Sequence, residues 1–432
     1  MMCYLGLWYL FFVPCTLAYV SYVPEQVHIS YGENPWEITV MWNTLNNTWT
    51  SVVEYGINGL ALRAESKHPK KFISPGTNGS AQFIHRVTLK KLTPDSKYIY
   101  HVGSILGWSE EFSFRTPPED QTTWYPRLAI YGDMGNENAK SLPRLQQEVQ
   151  RGKYDAILHV GDFAYDMYMD AGERGNVFMR QIQPIAAYVP YMTCAGNHEE
   201  KFNFTHYRNR FGMPGNTEGL FFSFNMGNVH FISVSTEVYY FLQYGLKMVV
   251  KQYEWLEKDL QEATSPQNRT LRPWIVVFGH RPMYCSNNNT DDCTYMETMT
   301  RVGLPGGFFG LEEMFYRYGV DLLIWAHEHS YERLWPIYDY KVLNGSYEAP
   351  YTNPKAPVHI VTGSAGCREI HDNFKGNAPA WSGFRSTHYG YTRMNVANNT
   401  HIHLEQVSVD LEGMVVDQFW LIKETHTAFT QL

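Results

Sequence analysis

The sequence predicts an α/β fold, α+β in the broad sense, preceded by a separate all-β domain. Five short apolar segments between residues 128 and 325 have the composition of strands that are buried on both faces of a sheet. Helical patterns separate several of these segments, whereas residues 22–117 show short alternating strands divided by turn residues. Because α/β sheets bind ligands beyond the carboxyl ends of their strands, we expect a functional site where the five segments end.

Strand and helix patterns alternate in the α/β part. The five apolar segments cover residues 128–131, 156–160, 191–194, 274–278 and 322–325. Before the last two segments, apolar residues recur three or four positions apart, from Met248 to Leu260 and from Leu311 to Tyr318, as one face of a helix requires. Further strands are expected at residues 358–362, 394–396 and 401–409, and we interpret them as the second half of a sheet pair that closes this domain.

Residues 22–117 follow the pattern of a β-sandwich. Short alternating strands are expected at residues 27–30, 37–42, 85–89 and 98–102, with polar turns between them. Tyr98 and Tyr100 follow one of these turns, in a position similar to the tyrosine corner of fibronectin type III domains. Because this segment holds none of the candidate ligands, we expect it to pack, to dimerise or to line one rim of the site.

Each of the five apolar segments is followed by a short polar motif that contains potential metal ligands. A single Gly-Asp after a strand is a common turn, and a single histidine there is more often a packed residue, as we expect for His159. Five such motifs in series favour a shared site. Their side chains together suit two adjacent metal ions, and enzymes that hydrolyse phosphate esters commonly use two such ions. The candidate ligands are Asp133, Asp162, Tyr165, Asn197, His280, His327 and His329.

The chemistry of these side chains indicates which ions they suit. Carboxylate and phenolate oxygens favour a hard ion, whereas imidazole suits Zn, Fe(II) or Mn. If Asp133, Asp162 and Tyr165 are all ionised, one trivalent and one divalent ion leave the site with a net charge of about +2. The amide of Asn197 is neutral and keeps the site electropositive, so the site attracts a phosphate dianion.

The order of the motifs resembles the five-block signature of the purple acid phosphatases, a family of the calcineurin-like metallophosphoesterases. The motifs read Gly-Asp-x-Gly, Gly-Asp-x-x-Tyr, Gly-Asn-His-Glu, Val-x-x-His and Ala-His-x-His, the last with alanine where the family usually has glycine. The chain is most similar to the animal long-chain iron/zinc branch. This resemblance implies a four-layer metallophosphoesterase β-sandwich flanked by helices over residues 125–432, and a fibronectin type III-like sandwich over residues 22–117.

The resemblance also implies a role for each candidate residue. His198 would stay off the metals and face the substrate as a general acid or charge partner, and Glu199 would either orient it or serve as a structural carboxylate. The implied activity is that of an acid phosphatase, in which a metal-bound hydroxide attacks the phosphorus of a small phosphate monoester. The implied ligands are Asp133, Tyr165 and His329 for Fe(III), and Asn197, His280 and His327 for a divalent Zn, Fe(II) or Mn, with Asp162 bridging both.

Two positions depart from the family pattern. Ala326 replaces the usual glycine of the last motif, and Asn289 and Thr290 stand where plant long-chain enzymes carry a histidine pair. The second change leaves the secondary phosphate contacts and the substrate preference open. A related nucleotide phosphatase or phosphodiesterase is therefore an alternative, as is a secreted metal-binding protein that has lost catalysis, although the retention of all seven ligands speaks against the latter.

Several features predict a secreted glycoprotein. Residues 1–18 have the apolar core and small final residue of a signal peptide, and the run is too short for a comfortable membrane span; a buried strand or a short anchor is the alternative. An extracellular or lysosomal destination fits this signal. Seven asparagines begin an Asn-x-Ser/Thr glycosylation triplet. They are Asn46, Asn78, Asn203, Asn268, Asn288, Asn344 and Asn398.

The positions of the cysteines predict one disulfide, and the net charge bears on the kind of partner. Cys285 and Cys293 flank a short polar loop and are expected to form a disulfide, whereas Cys194 and Cys367 could be free thiols or a pair. The net charge of −8 argues against nucleic acid as a partner. No stretch after residue 18 is predicted to span a membrane, and the sequence leaves open whether the chain forms a homodimer.

Overall fold

The computed structural model describes residues 22–76, 81–288 and 298–429 of the 432-residue chain. The predicted signal peptide at residues 1–18 lies outside the described residues, as do Asn78, Asn289, Thr290 and Cys293. The described chain forms an all-β part followed by a mixed α/β part, which confirms the predicted fold class.

The all-β part contains nine strands, β1 to β9. They span Glu25–Tyr31, Ile38–Thr44, Thr50–Gly56, Leu62–Lys67, Lys70–Phe72, Gln82–Leu89, Lys97–Ser104, Gly107–Trp108 and Phe112–Arg115. One sheet has the order β1-β2-β6-β5 and the other the order β4-β3-β7-β8, with β9 also paired to β7. The four strands predicted from the sequence correspond to β1, β2, β6 and β7, and only the second begins one residue early, at Glu37.

The two sheets of the all-β part form a sandwich with a shared apolar core. Val40 and Trp42 of β2 belong to the same buried cluster as Tyr100 of β7 and Phe112 of β9. The hydroxyl of Tyr98 accepts a hydrogen bond of 2.9 Å from the backbone N–H of Thr93. A tyrosine that bonds back to the preceding turn is the arrangement expected of a tyrosine corner.

The α/β part contains the remaining strands and all the α-helices of the described ranges. Strands β10 to β19 span Arg127–Tyr131, Met134–Gly135, Ala156–Val160, Phe163–Ala164, Tyr191–Cys194, Phe222–Met226, Val229–Ser233, Trp274–Phe278, Gly303–Leu304 and Phe308–Phe309. Strands β20 to β28 span Leu322–Trp325, Tyr331–Leu334, Ile337–Tyr338, Lys341–Val342, Val358–Thr362, Ser382–Ser386, Gly390–Val396, His401–Ser408 and Met414–Ile422. Helices α1 to α7 span Leu142–Gln150, Glu173–Ala186, Lys201–Arg210, Lys247–Ala263, Pro266–Leu271, Thr298–Val302 and Glu312–Arg317.

Two large sheets form the centre of the α/β part. The six-stranded sheet has the order β14-β12-β10-β26-β27-β28, and its first three strands are parallel. The seven-stranded sheet has the order β15-β16-β17-β20-β24-β21-β25, and strands β16, β17, β20 and β24 are parallel. The strands expected at residues 358–362, 394–396 and 401–409 are found as β24 in the seven-stranded sheet and as β26 and β27 in the six-stranded sheet.

Strand β17 is buried along its whole length, and its side chains alternate between two separate apolar cores. Val276 faces the core shared with the six-stranded sheet, whereas Val277 packs against Val249 and Leu256 of α4. Because successive side chains of a strand point to opposite faces, an apolar strand needs cover on both sides. The helix covers the outer face of the seven-stranded sheet, which gives the predicted order of helix, sheet, sheet and helix.

Helix α2 joins the all-β part to the α/β part. The side-chain oxygen Oε1 of Gln183 accepts a hydrogen bond of 2.8 Å from the backbone N–H of Val27 in β1. Just after the helix, the carbonyl of Ala187 accepts a bond of 2.7 Å from the hydroxyl of Tyr100, which is fully buried. These contacts fix the sandwich beside the six-stranded sheet.

The cysteines resolve part of the sequence prediction. Cys285 is disulfide-bonded, and its predicted partner Cys293 lies outside the described residues. Cys194 and Cys367 are both buried free thiols, so the alternative in which they pair with each other is wrong. No helix within the described ranges combines the length and the apolar character that crossing a bilayer requires.

A buried charge cluster anchors the C-terminal segment below the seven-stranded sheet. Asp321 precedes β20 and is 1% exposed, and its carboxylate contacts the ammonium of Lys423 at 2.5 Å and the guanidinium of Arg269 at 3.3 Å. Although burial opposes ionisation, these two charges hold the pKa of Asp321 below its ordinary range. The stabilisation is complete above the unfolded-state pKa of about 3.9, and it is lost only as the pH falls through the lower folded-state value.

We expect Asp321→Asn to lower the free energy of unfolding by about 3–5 kcal/mol, because it leaves two buried cations without their anion. The control is Asp95→Asn, since Asp95 pairs with Arg115 where both side chains are about two-thirds exposed, at 68% and 67%. That exposed pair contributes only about 0–1 kcal/mol. Denaturant unfolding of both variants in mildly acidic buffer measures the difference, and equal losses would contradict the proposed role of the cluster.

Candidate metal centre

The candidate ligands lie on five loops, each of which follows a parallel strand. Asp133 follows β10, the pair Asp162 and Tyr165 follows β12, and Asn197 follows β14, all in the six-stranded sheet. His280 follows β17, and the two histidines at 327 and 329 follow β20, both in the seven-stranded sheet. The site is therefore built where the carboxyl ends of the two sheets meet, as the sequence predicts.

Two glycines allow the loops to approach each other. Gly161 has a left-handed backbone, with φ of 86°, and a Cβ atom there would lie 2.4 Å from Nδ1 of His280. A Cβ atom on Gly132 would lie 2.3 Å from the Cβ of Ala326. The alanine that departs from the family pattern is thus accommodated because its neighbour is glycine, and the left-handed residue of that loop is His327, with φ of 70°.

Asp133, Tyr165 and His329 form a first cluster. The hydroxyl of Tyr165 lies 3.3 Å from Oδ1 of Asp133 and 2.8 Å from Nε2 of His329. The same imidazole nitrogen lies 3.6 Å from Oδ1 of Asp133. All three side chains are buried, so these potential ligands converge in a space shielded from solvent.

Asp162, Asn197, His280 and His327 form a second cluster. Nε2 of His280 lies at its centre, 3.2 Å from Oδ2 of Asp162 and 3.1 Å from Oδ1 of Asn197. Nδ1 of His327 lies 3.3 Å from the same nitrogen. One atom from each of Asp162, His280 and His327 lies within 4.8 Å of the others, a spacing suited to a metal ion.

The backbone joins the two clusters and is strained where it does so. The N–H of His327 donates a hydrogen bond of 3.0 Å to Oδ2 of Asp133, which connects the second cluster to the first. Asp133, Asp162, Tyr165 and His327 all have left-handed φ angles, between 52° and 70°. Such strain costs about 1–3 kcal/mol per residue and is concentrated at functional sites.

The buried charge of this site fits metal cations. Asp133 and Asp162 are 0% and 1% exposed, and burial raises the pKa of Asp133 above its ordinary value. Although burial lowers it, the carboxylate of Asp162 raises the pKa of His280 to about 10. The carboxylate of Asp162 therefore favours the charged form of the His280 imidazole beside it. The buried negative charge and the mixed oxygen and imidazole donors fit one hard and one borderline cation.

His198 lies beside the second cluster, and its hydrogen-bond partner was not predicted. Its Nδ1 lies 2.8 Å from Oδ1 of Asp166, whose other oxygen accepts a bond of 2.9 Å from Arg368. Nε2 of His198 lies 3.9 Å from Oδ2 of Asp162 and 3.7 Å from Oε1 of Glu369. Although burial lowers it, Asp162 and Asp166 raise the pKa of His198 to about 9.

Glu199 serves the backbone rather than His198. Its carboxylate is 2% exposed and accepts hydrogen bonds of 2.9, 3.0 and 2.9 Å from the N–H groups of Asp162, Phe163 and Gly196. Of the two roles left open by the sequence, this geometry fits the structural carboxylate. It ties the loop after β12 to the loop after β14, and so fixes Asp162 relative to Asn197.

Arg281 is a second residue that sequence reasoning missed. It follows His280 directly, and its guanidinium lies 2.9 Å from Nε2 of His327. Its Nε contacts both carboxylate oxygens of Glu237 at 3.2 and 3.1 Å, and the group lies 4.6 Å from the ring centre of Tyr240. A single arginine beside a motif gives no signal on its own. His159, by contrast, is a core residue as expected, bonded to the hydroxyl of Tyr191.

Three family models match this chain, and together they cover most of its length. A family model described as Calcineurin-like phosphoesterase matches residues 126–331, so the fold and the site together define a metallophosphoesterase. The models described as Purple acid Phosphatase, N-terminal domain, and Iron/zinc purple acid phosphatase-like protein C match residues 24–116 and 356–418. The chain belongs to the purple acid phosphatase family, whose members are binuclear metallophosphoesterases, and it is a phosphatase.

Individual relatives agree with this assignment. The chain is 58% identical to Acid phosphatase type 7 of Danio rerio over 411 residues, covering 93% of this chain and 92% of that protein. It is 52% identical to the Homo sapiens protein of the same name over 406 residues, with coverage of 93% and 92%. It is 28% identical to Fe(3+)-Zn(2+) purple acid phosphatase 12 of Arabidopsis thaliana over 421 residues, with coverage of 92% and 84%.

A solved structure shows the same fold. It is that of purple acid phosphatase PPD1 isolated from yellow lupin seeds, which superposes with a TM-score of 0.76 at 23% identity. The match covers 93% of this chain and 74% of that one. The all-β part and the α/β part are therefore both included in the likeness.

Proposed function

We propose that the chain hydrolyses phosphate monoesters under acidic conditions, using two adjacent metal ions. The observation that carries the proposal is the convergence of seven candidate ligands into two clusters that share a backbone hydrogen bond between His327 and Asp133. The proposed ligands are Asp133, Tyr165 and His329 for Fe(III), and Asn197, His280 and His327 for divalent Zn, Fe(II) or Mn, with Asp162 between them. When bound, such ions neutralise phosphate charge and ionise water at low pH.

The exposure of the site indicates where a substrate enters. The three ligands of the first cluster are buried, with Asp133 fully so. Asn197 and His327 of the second cluster are partly exposed, and so is His198, whose ring centre lies 4.5 Å from that of Tyr165 and whose Nε2 lies 3.9 Å from Oδ2 of Asp162. We therefore infer that the phosphoryl group approaches from the divalent-ion side, with His198 beside it.

The protein's own groups have separate tasks in the proposed reaction. The carboxylate of Asp166 accepts a hydrogen bond from the Nδ1–H group of His198. The Nε2 side of the imidazole then faces the substrate. As a hydroxide derived from water forms a bond to phosphorus, the bond to the leaving oxygen breaks, and His198 gives that oxygen its Nε2 proton. Glu199 holds the loop after β12 and the loop after β14 in fixed positions during the reaction, because it accepts backbone hydrogen bonds from both loops. No phosphoenzyme forms.

We further propose that the protein enters the secretory route and is glycosylated, with domains at residues 22–117 and 125–432 after an 18-residue signal peptide. The disulfide at Cys285 supports an oxidising compartment. None of the six sequon asparagines in the described ranges is buried. The proposed destination is extracellular or lysosomal.

Replacing Tyr165 tests the assignment of the iron site. A phenolate bound to Fe(III) absorbs visible light, and Tyr165 is the only phenol among the proposed ligands. The oxidised native protein should contain about two metals per chain, one of them iron, and should be coloured. Tyr165→Phe should abolish the visible band while the far-ultraviolet circular dichroism stays native.

The control for Tyr165 is Tyr207→Phe, because Tyr207 is a buried phenol whose hydroxyl bonds to the carbonyl of Gly219 rather than to a ligand. This variant should keep its colour. An iron-loaded, oxidised native sample without a visible band would refute the Tyr165 assignment, as would a coloured Tyr165→Phe protein.

A further inference from the structure

We propose that the all-β part binds a sulfated polysaccharide through one edge of its sandwich. The surface, which we call the basic edge, consists of Lys67, His68, Lys70 and Lys71. This inference goes beyond the proposed hydrolysis, because the basic edge contains no candidate ligand and would bind a different kind of molecule. It depends on the proposed secretory route only for the choice of anionic partner.

Positive charge is concentrated in one segment of an otherwise acidic chain. Residues 60–91 contain seven lysines and arginines but only one acidic residue, Glu65, which gives this segment a net charge of +6. The whole chain has a net charge of −8, so all its other residues together carry −14. A short run rich in lysine is typical of a surface that binds heparin or another polyanion.

The fold places the basic edge where the edges of two sheets meet. Lys67 ends β4, the terminal strand of one sheet, and Lys70 begins β5, the terminal strand of the other. Only His68 and Pro69 lie between these strands, so the chain crosses directly from one sheet to the other. Because an extended chain advances at most about 3.6 Å per residue, the Cα atoms of Lys67 and Lys71 lie within about 14 Å of each other. Three ammonium groups are thus held close together.

The lysines of the basic edge are available to an external anion. All three are exposed, and none of them forms an ion pair with another residue of the described ranges. By contrast, Arg63 of β4 is paired with both Glu54 and Glu65. Lysines on edge strands also discourage pairing with other chains, but a single lysine on each edge would serve that purpose.

Trp49 adds a flat apolar surface beside the lysines. Its carbonyl accepts a hydrogen bond of 3.3 Å from the backbone N–H of His68, and its own N–H donates one of 2.9 Å to Oδ1 of Asn47. Trp49 is 68% exposed, and its backbone is left-handed, with φ of 64°. A strained backbone that holds a largely uncovered ring fits an external partner. The ring of a sugar can pack on such an aromatic face while the lysines bind its sulfate groups.

The compartment decides between two kinds of anionic partner. Lysines beside a tryptophan could also bind an anionic membrane, but anionic phospholipids are concentrated in the cytoplasmic leaflet. A protein in the secretory route meets the opposite leaflet, and sulfated polysaccharides are abundant polyanions outside the cell. Residues 67–71 also contain no apolar side chain apart from Pro69, whereas insertion into a membrane surface requires an apolar face.

The test compares two triple variants of the full secreted protein that lose the same charge. The test variant carries Lys67→Gln, Lys70→Gln and Lys71→Gln. The control replaces three exposed lysines elsewhere in the all-β part and carries Lys90→Gln, Lys91→Gln and Lys97→Gln.

Binding to immobilised heparin is measured by surface plasmon resonance over a series of salt concentrations. Hyaluronan, which has carboxylates but no sulfates, and vesicles of phosphatidylserine and phosphatidylcholine are the comparison ligands. Each protein is measured as isolated and after its N-glycans have been trimmed, because Asn46 begins a glycosylation triplet in the loop that leads to Trp49.

We expect the dissociation constant for heparin to rise about 100-fold in the test variant and less than about threefold in the control. A lysine beside an anionic surface contributes about fivefold in affinity, and three lysines therefore contribute about 100-fold. The dependence of log Kd on log salt concentration should become shallower by about two, because fewer counterions are released. Trp49→Ala should weaken binding about threefold to tenfold. All variants should keep native phosphate release.

Several outcomes would overturn the inference. Native protein that does not bind heparin would exclude the site, and equal losses in the two triple variants would show that only net charge matters. Binding to hyaluronan as tight as to heparin would remove the need for sulfate. Binding to the vesicles that is tighter than to heparin would assign the basic edge to a membrane. None of these results bears on hydrolysis, which is measured separately as phosphate release.

Discussion

Asp162→Asn is expected to cost the protein its metal centre. The carboxylate is 1% exposed, its Oδ2 lies 3.2 Å from Nε2 of His280, and its Oδ1 accepts a bond of 3.0 Å from the N–H of His198. An amide in its place carries no charge and offers a donor where an acceptor is needed. Because even outer-sphere partners cost about 10–100-fold in metal affinity, we expect a loss of at least about 100-fold and a turnover near background.

The matched control for Asp162 is at the opposite end of the same strand. Asp155 precedes β12, pairs with Arg127 at 3.0 Å and is 23% exposed, so Asp155→Asn should keep both metals and its activity. Elemental analysis after gel filtration, together with phosphate release, compares the two variants. Full metal occupancy in Asp162→Asn would show that this carboxylate does not lie between the two ions.

His198→Ala is expected to fail in a different way. Its imidazole lies outside both clusters, 3.9 Å from Asp162, and is held by Asp166. Removal of a general acid lowers turnover by about 10²–10⁴-fold, while both metals and the fold should be retained. The loss should be smaller for esters with good leaving groups, such as nitrophenols, because these need less help from a proton.

A second substitution separates positioning by Asp166 from general disruption of the site. Asp166→Asn keeps an acceptor oxygen for Nδ1 of His198 but removes the charge that also holds Arg368. It should lower turnover less than His198→Ala and shift the pH profile without loss of metal. If His198→Ala itself released both metals, its assignment as a residue outside the metal shell would be wrong.

The sequence predicted the parts of the site that are encoded locally. Each of the five ligand loops follows directly on an apolar run, and each carries its ligands within a few residues of the strand end. An apolar run indicates a buried strand, and the polar motif that follows it indicates a loop at the carboxyl end of that strand. The fold family and the set of candidate ligands could therefore be inferred before any contact was known.

The missed residues act across long sequence distances. Asp166 and His198 are 32 positions apart, Glu237 and Arg281 are 44 apart, and Arg368 lies 202 positions from Asp166. Asp166 and Arg281 each follow a predicted ligand directly, but a single charged residue beside a motif does not show which distant residue it contacts, and neither Glu237 nor Arg368 lies in any of the five motifs. The role of Glu199 was ambiguous for a related reason, because its partners are backbone N–H groups, which leave no trace in the sequence.

The order of strands in the two large sheets has a consequence for synthesis of the chain. β10, which leads to the first ligand, lies beside β26, and β20, which leads to the last, lies beside β24. A growing chain that has just passed His329 contains every ligand but leaves both strands with an open edge. Unpaired strand edges can form hydrogen bonds with other chains until the last hundred or so residues, which contain β24 and β26, have been synthesised. A premature stop codon after the last ligand should thus produce a protein that aggregates, not a shorter enzyme.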